Sequence, residues 1–64
     1  MKYIKVKTAG YNAQTVYINT DHIDCVIEEG ENAIIKLNGG DNRTYKTIES
    51  AETVMRLIEM VHAD

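Results

Sequence analysis

The chain has 64 residues and a formal net charge of −3, from seven Lys and Arg against ten Asp and Glu. That length suits one small domain, and a core of this size seldom supplies more than about 3–5 kcal/mol by itself. A single cysteine excludes an internal disulfide, and the acidic balance gives no global attraction to nucleic acid or anionic membranes.

The charge is unevenly placed, because six of the seven basic residues (Lys2, Lys5, Lys7, Lys36, Arg43, Lys46) fall in runs that read as strands. The first of these runs, residues 3–8, alternates: Ile4, Val6 and Thr8 lie on one side, Tyr3, Lys5 and Lys7 on the other. This is the period of a half-buried strand. Gly10 and Asn12 mark a turn. Residues 15–19 form a second strand with Val16 and Ile18 inward and Tyr17 outward, and the two runs are expected to pair as a hairpin.

Asn19, Thr20 and Asp21 then break the alternation, since their side chains bond to nearby backbone and favour turns. A third strand is expected at 23–28, and the second and third runs read either as separate strands or as one bent strand. Two phases compete in the third run: Ile23, Cys25 and Ile27 inward together, or Ile23 with Val26 across a bulge. EGEN is a turn, 33–37 a strand with Ala33, Ile35 and Leu37 in phase, NGGDN a hairpin loop, and 43–48 the last strand.

From Ser50 the period changes to three and four, with Ala51, Val54, Met55, Ile58, Val61 and His62 on one stripe and Leu57 broadening it. Ser50 is a suitable N-cap and Glu52 complements the helix dipole, so a helix is expected over 50–62. The expected fold is α+β: one domain over 1–64, a small four-stranded, mostly antiparallel β-meander, with one C-terminal amphipathic helix packed on one face.

The stretch TDHIDCVIE gathers Asp21, His22, Asp24 and Cys25 within five positions. A metal site needs three or four ligands on one point, and Cys25 alternates away from His22 and Asp24 in a regular strand. The reading is therefore a polar turn feeding a strand, with Cys25 a small buried residue that resists labelling. A Cys–His nucleophile would still lack an orienting group and an oxyanion hole. Such a short chain is also expected hardly to enclose a cavity of ~300 Å³ or more. Glu28, Glu29 and Glu31 flank a glycine turn and read as solvated. NGGDN leads into a strand rather than a helix, unlike a phosphate loop, and calcium-loop spacing is absent. No catalytic residue, cofactor or metal is expected.

One helix covers one sheet face, so the other face should show Tyr3, Lys5, Lys7, Tyr17, Ile34 and Lys36. Tyrosines and an isoleucine among lysine stems suit a surface that meets a partner better than a purely solvated one. Tyrosines with lysines are also what single-strand nucleic-acid binders use, although no recognition motif is present.

From Val16 onward the chain resembles the small FlbD/SwrD flagellar-associated proteins and related short bacterial proteins. The resemblance rests on VYINTDHIDCV, AIIKLNGG, TYKTIES and ETVMRLIEM, with Ile18-Asn19, Ile23, Val26, Ile35, Leu37, Gly39, Glu49-Ser50 and Val54 on the shared pattern. It implies a bend at 19–22, Ile23 with Val26 as the inward pair, and a noncatalytic protein acting through protein contacts, with a flagellar role as a further implication.

The resulting expectation is a self-associating protein–protein interaction module, a homo-dimer or larger, using Tyr3, Lys5, Lys7, Tyr17, Ile34 and Lys36. The alternative is a nucleic-acid-binding regulator using the same basic, tyrosine-bearing face. No run approaches the ~20 apolar residues of a membrane span, and MKYIKVKT lacks the apolar core of a signal peptide. A cytoplasmic bacterial protein without membrane insertion is therefore expected, with derivation from a phage or mobile element as one origin open to it.

Overall fold

A computed structural model describes residues 2–39 and 43–63. Strands β1 (Tyr3–Lys7) and β2 (Thr15–Asn19) form an antiparallel hairpin, followed by a single 3-10 turn at Thr20–His22. Strands β3 (Ile23–Glu29), β4 (Asn32–Leu37) and β5 (Thr44–Thr47) form a second antiparallel sheet in that order, and helix α1 (Ala51–His62) follows.

The expected single four-stranded meander is thus corrected to two sheets, of two and three strands. The second and third runs are separate strands, because the 3-10 turn takes β3 into the other sheet. Asn19 caps that turn: its Oδ1 accepts from the Asp21 N–H at 3.0 Å.

The sheets are stitched together at one end. Thr8 bridges Thr47, the Ala9 N–H donates to the Lys46 carbonyl (2.8 Å), and the Ile48 N–H donates to the Lys7 carbonyl (2.9 Å). Helix α1 packs on β1 of the first sheet and on β3 and β4 of the second, so it contacts both sheets instead of lying on one face of a single sheet. Both sheets turn an alternating apolar row inward, and Ile4, Val6, Ile18, Ala33, Ile35 and Val54 form the buried cluster.

Local sequence explains the turns. Between β3 and β4 the closing pair Glu29–Asn32 leaves a two-residue turn, and Gly30 there takes φ +59°, a region open to glycine without strain. The loop after β1 is closed by Thr8, whose N–H donates to the Gln14 carbonyl and whose Oγ1 accepts from the Gln14 N–H, each at 2.8 Å. Residues 40–42 of the NGGDN loop lie outside the described residues.

Ser50 caps α1 as expected, its Oγ accepting from the Thr53 N–H at 3.1 Å. Val54 is buried, while Ala51, Leu57, Ile58 and Val61 are half-buried against the core. Met55 departs from the expected stripe: it lies about 100° round the helix from Val54, beyond the contact zone, and is exposed. His62 lies on the margin of the same stripe and is exposed as well. No helix among the described residues is long and apolar enough to cross a membrane.

Candidate interaction face

The β1–β2 register sets Lys5 opposite Tyr17, Tyr3 opposite Asn19 and Lys7 opposite Thr15, all on the outer side of the hairpin. Their inward neighbours Ile4, Val6 and Ile18 are buried, so the alternation read from sequence is the alternation of the strands. Tyr3 and Tyr17 are 47% and 65% exposed, on a face with Lys5 beside them. Cross-strand neighbours of this kind lie close enough for an aromatic ring to cover a lysine stem.

Ile34 and Lys36 lie in the other sheet. Ile34 is half-buried between Ile27 of β3 and Lys46 of β5, and Lys36 is exposed between Cys25 and Thr44. The six expected face residues therefore divide four and two between the sheets. Beside Ile34, Ile27 is exposed, and Ile48 just past β5 is 54% exposed, so the outer side of the second sheet is more apolar than sequence alone indicated. The Lys46–Glu29 ion pair (2.8 Å) borders this apolar row.

The bulge between Ile23 and Cys25 decides the competing phases of β3. Ile23 pairs with Leu37, but Cys25 pairs with Lys36, so Asp24 is the extra residue. Everything after it changes side: Val26 turns inward beside Ile35, while Cys25 and Ile27 turn outward. Cys25 is therefore an exposed thiol, which corrects the expectation of a buried one. It should react stoichiometrically with a chromogenic disulfide reagent in native buffer. Modification that waits for denaturant would contradict the outward phase of β3.

Asp21 and His22 belong to the 3-10 turn, and Asp24 and Cys25 are exposed on β3. No group of three His, Cys, Asp or Glu side chains converges among the described residues. His62, which nothing in the sequence tied to this region, reaches it: its Nε2 lies 2.9 Å from Thr20 Oγ1, joining the end of α1 to the 3-10 turn.

Beside β2 the two sheets leave an open groove of about 300 Å³, lined by Tyr3, residues 16–19, His22, Leu37 and Tyr45. It is an open surface groove rather than an enclosed cavity, with a volume at the low end for ligand sites. None of the lining side chains is a carboxylate, and three are tyrosines. The Tyr45 hydroxyl accepts from Arg43 Nη1 at 3.3 Å. Sequence reasoning missed Leu37, His22 and Tyr45 as groove residues because they come from three separate elements, and only closure of the sheets brings them together.

Comparison with known proteins adds no relative: no family model, no curated protein and no solved structure matches this chain.

Proposed function

We propose that this protein is a noncatalytic interaction module that self-associates, with the outer side of the β1–β2 hairpin (Tyr3, Lys5, Lys7, Tyr17) as its main contact face. Ile34 and Lys36 extend that contact on the second sheet. The observation that supports the reading is the exposed Tyr17 in register with Lys5, flanked by Tyr3 and Lys7, on a hairpin whose other side is already committed to the core. Tyrosine contributes large, stiff contact area and is enriched where interfaces draw their affinity. The pattern shared with the FlbD/SwrD flagellar-associated proteins favours a role exerted through contacts in a bacterial cytoplasm.

The test is solution mass by light scattering over a dilution series, on nucleic-acid-free protein. Wild type should exceed the monomer mass at high concentration. Tyr17→Asp should weaken association about 30-fold or more, the loss of one hot-spot side chain of about 2 kcal/mol, with its circular dichroism unchanged. A folded Tyr17→Asp protein of unchanged mass would remove this face. A monomeric wild type that binds single-stranded oligonucleotide with a steep loss on adding salt would favour the nucleic-acid reading of the same lysines and tyrosines.

A further inference from the structure

We infer that the self-association proposed above takes the form of strand addition, in which β2 of one copy pairs antiparallel with β2 of a second across a two-fold axis. The inference rests on that proposal and adds its geometry. The stitch at Thr8–Thr47 joins β1 to β5, so the ladder runs β2, β1, β5, β4, β3 and ends in two edges. An edge strand presents unpaired backbone groups, and proteins ordinarily blunt it with charge, proline or a bulge.

The two edges differ in that respect. Edge β3 is blunted twice, by the bulge after Ile23 and by the exposed carboxylates of Asp24, Glu28 and Glu29. Antiparallel self-pairing centred on Val26 would set Asp24 opposite Glu28 of the other copy, twice, with like charges face to face. Edge β2 reads TVYIN and carries no charge, no proline and no bulge in its register. It is also self-complementary. Centred on Tyr17, an antiparallel copy sets Thr15 opposite Asn19, Val16 opposite Ile18, and Tyr17 opposite Tyr17.

The backbone groups point the right way for this. The Thr8 N–H donates to Gln14 and the Thr20 N–H donates to Lys2, both in the register of the hairpin. Alternation along an antiparallel pair then turns the N–H and C=O groups of Val16 and Ile18 towards β1, and those of Thr15, Tyr17 and Asn19 towards the free edge. Centring on Tyr17 places these outward residues opposite one another and supplies about six ladder hydrogen bonds.

The groove beside β2 is the space an added strand would enter. Val16 and Ile18 of the second copy would continue the inner apolar row towards Leu37 and Tyr45, while the two Tyr17 rings would meet on the outer face. The tyrosine face then becomes one continuous four-stranded surface spanning both copies.

The experiment is amide hydrogen exchange followed by NMR on the full chain, at concentrations above and below the association midpoint, alongside Thr15→Pro. That substitution removes an N–H directed at the free edge and leaves the β1–β2 ladder intact. The expected result is rapid exchange of the Thr15 and Tyr17 amides when dilute, at least tenfold slower exchange when concentrated, and a folded, monomeric Thr15→Pro chain. A concentration-dependent dimer whose Thr15 and Tyr17 amides remain fast overturns strand addition while leaving self-association standing. A monomer at every concentration overturns both. If Thr15→Pro fails to fold, the wild-type exchange data decide the matter.

Discussion

Alanine in place of Ile35 leaves the chain largely unfolded at room temperature. Ile35 is fully buried in β4, the central strand of the second sheet, between Val26 and Tyr45, and it belongs to the cluster with Ile4, Val6, Ile18 and Val54. Truncating a buried isoleucine to alanine costs about 2–5 kcal/mol, from lost transfer energy and from the cavity left behind. A core of this size supplies about 3–5 kcal/mol in all, so one such loss removes most or all of the stability. The control is Ile34→Ala, one residue along and half-buried on the outer side. Urea titration followed by circular dichroism should show little or no folded baseline for Ile35→Ala and a modest shift of midpoint for Ile34→Ala. Equal effects would mean that the inner and outer sides of β4 are wrongly assigned.

The second large effect concerns the one buried polar side chain among the described residues. Thr47 is fully buried, its Oγ1 lying 2.9 Å from the Glu49 carbonyl and 3.4 Å from that of Ala33. Its backbone carbonyl accepts from Asn32 Nδ2 at 2.8 Å, and its strand position forms the bridge to Thr8. The residue thus ties β4, β5 and β1 to the segment that enters the helix cap at Ser50. Thr47→Val keeps the branched shape and the strand preference but removes the hydroxyl, leaving the Glu49 carbonyl without that donor. The expected cost is about 1–3 kcal/mol by urea titration, with the slope unchanged. Thr47→Ser, which keeps the hydroxyl and loses a methyl group, should cost less. A neutral Thr47→Val would show that the hydroxyl contributes no net bond.

What could be read from the chain beforehand follows from the range of the signal. Alternation in 3–8 and 15–19, the Ser50 cap and the three–four spacing of Ala51, Val54, Ile58 and Val61 are local, and each element formed where its own residues placed it. The phase of β3 was not local. Ile23-Asp24-Cys25-Val26-Ile27 supports two alternations, and the choice falls to Val26 because it packs beside Ile35 of the neighbouring strand. Cys25 was misplaced for that reason. The division into two sheets follows from the 3-10 turn at Thr20–His22, and their joining depends on Thr8 meeting Thr47 across the chain, a contact between two threonines that no periodicity announces. The tyrosines and lysines of the hairpin face were legible, whereas the groove beside them was not, since its far wall comes from Leu37 and Tyr45.

The Thr8–Thr47 stitch also bears on how the chain assembles. Each hairpin closes a short loop, seven residues separating Lys7 from Thr15 and two separating Glu29 from Asn32, so both can form early from nearby residues. The stitch instead joins positions 39 apart and cannot be rewarded until the intervening chain is in place. Contact range alone thus predicts that the local hairpins form before this seam closes, an order that hydrogen exchange at the Ala9 and Ile48 amides would check. Between those events the chain exposes Val16 and Ile18 without their covering sheet, so the time spent before seam closure sets how long it is open to aggregation.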